Sequence, residues 1–222
     1  MTAKSSISLP NKIAIGIIVA TVVVVIGIVA LINTKDTATQ AAPTEATEVV
    51  RADSHRLAAA EDEKAVLVEF LDFECESCLA AYPFIEDLSN KYEGELTIVS
   101  RYFPLAGHPN SMNAALAVEA AAQQGKFEDM YHRMFETQAE WSHSAESRAA
   151  TFRGYAEDLG LDLAAYDDAV ADPATAARIE QDKQDGTALG VSGTPTFFLD
   201  GKLIEPSSLE EFEQLVKDAI AR

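Results

Sequence analysis

Cys75 and Cys78 are the two cysteines of the 222-residue sequence, and they stand together as Cys75-Glu76-Ser77-Cys78. Two thiols three positions apart can close into a disulfide and reopen, so the spacing points to thiol–disulfide exchange. A structural disulfide over so short a loop would add only about 2 kcal/mol, against roughly 4.7 kcal/mol for a hundred-residue loop. A metal site would need two more ligands, and His55, His108, His132 and His143 show no paired ligand spacing. Two inert core cysteines are the third alternative, and the polar Glu76-Ser77 between them argues against it.

Position strengthens the redox reading. Ala65 to Phe73 (AVLVEFLDF) is almost continuously apolar, the pattern of a central strand buried on both faces. Leu79 to Tyr92 has helical spacing and Leu96 to Phe103 is strand-like, so the motif lies at the strand-to-helix turn of a βαβ unit. Cys75 then falls at a helix start, where free N–H groups and the dipole favour a thiolate. An exposed Cys75 thiolate attacks a disulfide, and Cys78, one turn along, resolves the mixed disulfide. Glu69 places a carboxyl within the most apolar strand. It is either a solvated edge residue or a desolvated proton acceptor near Cys78 with a raised pKa.

The rest of the chain supplies the frame. Glu48 to Leu57 is a candidate short strand, and everything from Ser111 to about Thr187 reads as helical, with Phe127, Met130, Tyr131, Met134 and Phe135 on one face. Thr196 to Asp200 and Lys202 to Ile204 read as two strands joined by an Asp-Gly turn. A last helix over about 209–221 starts with Ser208 and Glu211 as a capping box. Pro195 opens the first of these two strands. On composition alone a trans bond is expected, because only about 5–6% of X-Pro bonds are cis.

The N-terminal part obeys different chemistry. Ile13 to Ile32 is 20 uncharged, largely apolar residues, about 30 Å as a helix and long enough to cross a bilayer. The run exceeds the roughly 7–15 residues of a cleaved signal peptide, and the small-residue site around Thr39 to Ala42 is weak, so a retained anchor is expected. Lys4 and Lys12 on one side put the N-terminus in the cytoplasm and the remainder outside. Asn33 to Thr47 is a Thr/Ala-rich tether. The expected organisation is a cytoplasmic 1–12, an anchor 13–32, a tether 33–47 and a domain 48–222. The net charge of −19 argues against a nucleic-acid partner.

VLVEFLDFECESC, the helical stretch and GVSGTPTFFLDGK together resemble the DsbA-like thioredoxin-fold thiol:disulfide oxidoreductases, most of all their membrane-anchored extracytoplasmic members. The resemblance covers about 48–222. It implies a thioredoxin-like α/β fold with a helical insertion at about 108–188, and no bound cofactor. It makes Cys75 the nucleophile, Cys78 the resolving thiol and Glu69 the buried acid. It also makes Pro195 a cis-proline whose loop, with Thr194, contacts the substrate as an added strand. The implied partners are exported polypeptides and a second protein that recycles the cysteine pair. Disulfide formation is the expected task, with reduction or isomerisation as the variant. The rivals are a thioredoxin-fold binding or chaperone module with vestigial cysteines and a copper-delivery protein of related fold. His108 is expected only to satisfy loop backbone.

Glu76 and Ser77 occupy the positions that tune the redox poise, where strongly oxidising relatives carry Pro-His. No Lys, Arg or His occurs from Ala65 to Asn90, while Asp72, Glu74 and Glu76 surround Cys75 in sequence. A carboxylate about 6 Å from the sulfur costs the thiolate roughly 0.7 kcal/mol in water and about 3 kcal/mol at an effective dielectric of 20. A Cys75 less acidic than in strong oxidants is therefore expected, unless basic residues fold in from the insertion.

Overall fold

The computed structural model describes residues 48–222. The expected anchor at 13–32 and tether at 33–47 lie outside the described residues. Among the described residues no helix is long and apolar enough to cross a membrane. The elements run β1 (His55–Ala58), β2 (Ala65–Leu71), α1 (Glu76–Lys91), β3 (Leu96–Tyr102), α2 (Ser111–Ala122), α3 (Phe127–Glu136), α4 (Gln138–Trp141), α5 (Ala149–Asp158), α6 (Leu163–Ala171), α7 (Pro173–Ala188), β4 (Thr196–Leu199), β5 (Lys202–Ile204) and α8 (Leu209–Ile220).

The strands form one sheet in the order β1-β3-β2-β4-β5. β2 and β3 are parallel, joined through α1, and the other pairs are antiparallel. β2 is central, and all but Val66 of its residues are buried, as its unbroken apolar run requires. Its alternating side chains divide the core. Leu67 packs with Ile85 and Leu88 of α1 and Phe212 and Val216 of α8. Val68 and Phe70 face the opposite side with Val99, Phe103, Val191 and Phe198. Glu69 therefore points to the same face as Leu67 and Leu71. Asp200 and Gly201 both have positive φ (48° and 75°), so the two-residue turn between β4 and β5 has the twist a hairpin needs.

Two boundaries differ from the sequence reading. β1 begins only at His55, because Arg51 and Ser54 close a turn on each other: Ser54 N donates to Arg51 O and Arg51 N to Ser54 Oγ. α1 begins at Glu76, three residues before the apolar spacing does, with Cys75 as its N-cap residue and Cys78 in its first turn. At α8 the Ser208 hydroxyl accepts from Glu211 N (3.1 Å). The Glu211 carboxylate reaches Ser207 N (2.7 Å) rather than Ser208, a capping box displaced by one residue.

The insertion is six helices, α2 to α7. The alanines of α2 let neighbouring helices approach closely, and Ala114, Ala115, Ala117, Ala120 and Ala121 are all buried. The aromatic and methionine face of α3 is buried against it and against Phe73, Cys75 and Cys78, so insertion and cysteine turn share one core.

Arg101 ties the insertion to the sheet. It is fully buried in β3. Its Nε donates to Asp182 (2.7 Å), its Nη2 to Asp185 (2.6 Å) and its Nη1 to the Val49 carbonyl (2.8 Å). Asp182 also accepts from Tyr102 N and pairs with Arg178 Nη1 at 2.7 Å. Removing one member of such a network strands buried charge. Arg101→Met is expected to lower the unfolding free energy by about 3–5 kcal/mol, read as a lower urea midpoint at unchanged slope.

Candidate active site

The site begins where β2 ends. Asp72, Phe73 and Glu74 form a buried turn, and Cys75 N donates to Asp72 O (3.1 Å). Cys75 is the N-cap residue of α1 with extended φ and ψ (−78° and 125°). Its side chain makes no capping hydrogen bond in the thiol form, and it stands at the helix start, where the first-turn N–H groups lack intrahelical partners.

Three buried polar side chains hold this turn, two of its own and one from α4. Asp72 accepts from Glu74 N (2.9 Å), from Leu105 N (2.9 Å) and from His108 Nδ1 (2.7 Å). Glu74, fully buried, accepts from Asn110 N (2.6 Å) and His143 N (2.8 Å). Gln138 of α4 donates to the carbonyls of Phe73 (2.7 Å) and Cys75 (3.0 Å). The sequence reading counted Asp72 and Glu74 only as charges near the sulfur. They are hydrogen-bonded clamps that bring the loops at 105–110 and 143 to the cysteine turn. A buried carboxylate requires such partners, and that was the available signal.

The two sulfurs are 3.8 Å apart and both are thiols. Cys75 keeps 6% of its surface exposed and Cys78 none, so only the first can be reached from outside. The Thr194–Pro195 bond is cis, as the family resemblance implied and composition did not. The preceding carbonyl, Thr194 O, accepts from Cys75 Sγ at 3.3 Å. The buried Thr194 hydroxyl has no partner in this thiol form and is free to turn its proton to a thiolate.

The two cysteines differ sharply in acidity. The Cys75 thiol is pulled down to about 5, first by the hydrogen bond from the Cys78 thiol, with burial opposing and Thr194 and the N–H groups of Cys78 and Ser77 assisting. Cys78 is pushed well above the ordinary range, first by burial, then by its bond to Cys75 and by the nearby Glu69. Cys75 is thus an acidic thiol, although acids surround it in sequence, and it is still less acidic than the value of about 3.5 in the strong oxidant DsbA. Donors aimed at the sulfur outweigh acids whose charge is engaged elsewhere. Glu76 lies on the surface with His143 Nε2 at 2.7 Å.

Glu69 is buried with 2% exposure, and its Oε2 has no partner. The solvated-edge alternative is thereby excluded. Burial, and secondarily the Cys75 sulfur, raises its carboxyl to about 8, so it holds a proton at neutral pH. His108, assigned only a backbone role from sequence, instead sits on Asp72. Burial works against its protonation, but the bond to Asp72 and the nearby Cys75 sulfur outweigh it and raise the imidazole pKa. Among the described residues no three His, Cys, Asp or Glu gather as a metal site.

A family model described as Thioredoxin matches residues 53–218. A stretch of 157 residues is 38% identical to the Na(+)/H(+) antiporter NhaA 3 of Salinispora tropica, covering 70% of this chain and 23% of that protein. Over 144 residues the chain is 36% identical to NhaA 1 of Mycobacterium sp. strain KMS, covering 64% of this chain and 22% of that protein. The chain thus spans less than a quarter of the length of these curated relatives. A solved thioredoxin-like oxidoreductase from Silicibacter pomeroyi superimposes with TM-score 0.64 at 26% identity, over 80% of this chain and 96% of that one. Wolbachia pipientis alpha-DsbA1 gives 0.66 at 18%, over 78% and 93%. Oxidised BdbD from Bacillus subtilis gives 0.62 at 19%, over 74% and 92%. The last two share the fold.

Two measurements check these electrostatics. Alkylation of Cys75 by iodoacetamide is expected to keep its full thiolate-dependent rate down to about pH 6 and to halve near pH 5, with Cys78 unmodified. An ordinary thiol would halve near about 8.5. Glu69, ordinarily near 4.5 and about 8 when folded, binds a proton in the folded chain that the unfolded chain has released between those values. Its stability contribution is therefore complete below about pH 4.5 and declines as pH rises towards 8. Glu69→Gln is expected to abolish that decline and to stabilise the protein by up to about 3 kcal/mol at pH 7, in denaturant titrations across this range.

Proposed function

Because the chain belongs to the thioredoxin family, we propose that it is a DsbA-like protein thiol–disulfide oxidoreductase working through Cys75 and Cys78 and chiefly forming disulfides in exported polypeptides. The observation that carries the reading is the asymmetry of the pair: one reachable, acidic sulfur beside one sealed, weakly acidic sulfur.

In the forming direction the pair starts as a disulfide. A client thiolate attacks Cys75 Sγ, the Cys75–Cys78 bond breaks, and Cys78 leaves and takes a proton. Glu69, protonated at neutral pH and close to Cys78, is suited to give it. A second client thiolate then attacks the client sulfur of the mixed disulfide and expels Cys75 as a thiolate. The client loses two electrons and the cysteine pair gains them. A low-pKa thiol is a good leaving group and its stability favours the reduced protein, which makes the pair an oxidant. A nucleophile at about 5 falls between the values of about 7 for thioredoxin and about 3.5 for DsbA.

The surface beside Cys75 suits an extended client. A groove of about 490 Å³ runs from Pro195 past Phe197 and Leu203 to Leu209 and Phe212. Leu203 and Leu209 are 48% and 57% exposed, the two exposed large hydrophobics among the described residues. A strand laid along the Thr194–Pro195 loop would bring a client sulfur to Cys75 and its apolar side chains into this groove. The apolar run at 13–32 would tether the domain to the cytoplasmic membrane with residues 48–222 outside, in a disulfide-permissive space. A second redox protein would reset the pair.

The full-length protein is expected to accelerate insulin reduction by dithiothreitol, and Cys75→Ser to remove that acceleration. Cys78→Ser is expected to accumulate mixed disulfides on Cys75 in cells, carrying both clients and the recycling partner. A binding module with vestigial cysteines would do neither. A glutathione-equilibrium potential near or above about −180 mV supports disulfide formation, whereas one near about −270 mV would make the protein a reductase.

A further inference from the structure

The Cys-x-x-Cys carries no base, yet two imidazoles come to its turn from loops distant in sequence, one onto Asp72 and one onto Glu76. His108 arrives on the loop after β3, with its Nδ1 2.7 Å from Asp72 Oδ2. Asp72 is the residue whose carbonyl receives Cys75 N. His143 arrives on the loop after α4, at a left-handed φ of 56° that few non-glycine residues adopt. Its N–H is fixed on buried Glu74 and its ring lies against Glu76. The two imidazole centroids are 6.3 Å apart and perpendicular.

These positions differ in consequence. His143 and Glu76 are 51% and 67% exposed, so their pairing is screened and does little beyond engaging the Glu76 charge. The His108 side chain is only 18% exposed and its partner Asp72 not at all, so its charge acts in a poorly screened space. The titratable groups facing His108 are Asp72, Glu74 and Cys75 from the turn, Glu76 from α1 and His143 from the α4 loop. Apart from His143 all are acidic or become so.

We propose that His108, locked by Asp72, is a positioning residue of the exchange reaction that supplies the Cys75 thiolate with the positive charge its own Cys-x-x-Cys lacks. This rests on the exchange function proposed above. Coupling is reciprocal: the anionic sulfur that favours protonated His108 is itself favoured by it. In the disulfide form the sulfur bears no charge, so the imidazolium stabilises only the reduced pair and raises its oxidising strength. Asp72 orients the ring and prevents it from turning to solvent.

The test compares full-length wild type with His108→Gln, which keeps a hydrogen-bond donor for Asp72, and His108→Lys, which keeps the charge. The thiolate absorbance of the reduced protein near 240 nm is followed against pH, and the glutathione equilibrium constant is measured at pH 7. For His108→Gln the constant for reduction of the pair is expected to fall about threefold to tenfold, tenfold corresponding to about 30 mV, with a parallel rise in the thiolate midpoint. His108→Lys is expected to recover at least half of the loss on a logarithmic scale. A change below twofold in His108→Gln would overturn the proposal, as would equal losses in both variants, which would assign His108 to closing the loop. Wild-type inactivity with insulin would instead overturn the exchange function, and the thiolate titration still reads His108 in that case.

Discussion

The buried turn from Asp72 to Cys75 is the constraint on which the rest depends. It must end the central strand, start a helix and leave one sulfur facing outward. Backbone alone cannot hold such a turn, because its polar groups are withdrawn from water. Asp72 and Glu74 carry the missing hydrogen bonds: both reach the loop that leads into the helical insertion, and Glu74 also reaches His143 within it. The insertion is therefore part of the site's construction. Arg101, bonded to Asp182 and Asp185 of α7, fixes the same insertion to β3 from the other end.

That construction explains why a motif surrounded by acids has an acidic thiol. A carboxylate about 6 Å away costs a thiolate roughly 0.7–3 kcal/mol, depending on screening. A hydrogen bond to a charged group contributes about 1.5–3 kcal/mol, and a Cys75 thiolate has several donors beside it: the Cys78 thiol first, then the Thr194 hydroxyl and first-turn N–H groups. Glu74 and Asp72 meanwhile direct their negative charge at backbone N–H groups and at His108. Which acids lie near a sulfur in sequence matters less than which way their oxygens point.

The legible parts of the molecule were those encoded by local pattern. The run Ala65 to Phe73, the amphipathic α3 and the Asp-Gly turn each announced their element through periodicity or turn chemistry, and Cys75 and Cys78 through spacing. The cis bond before Pro195 was not legible in composition and came only through the family resemblance. The clamps were illegible because they pair residues far apart in the chain: Glu74 with Asn110 and His143, Asp72 with His108, Arg101 with Asp182. A lone acid or histidine in a loop looks the same in sequence whether it is solvated or bridging two loops. How far the acidity of Cys75 departs from an ordinary thiol was illegible for that reason, since a one-dimensional neighbourhood gave charges without partners.

The same asymmetry between near and far accounts for the pairing of Glu69 with Cys78. Both are sealed in the core and both are neutral at pH 7, because a charge on either would be poorly solvated and close to the other. Yet the exchange proposed for this pair would require Cys78 to pass briefly through an anionic state, as leaving group in one direction and as attacker in the other. An ordinary carboxyl with its low pKa would already be ionised there and would oppose that anion throughout. At about 8, Glu69 stays neutral until the proton must move, and its value lies near the working pH where proton transfer is most effective in both directions. On the proposed reading, the burial that makes an acid costly in a strand is what would let the sealed sulfur take part.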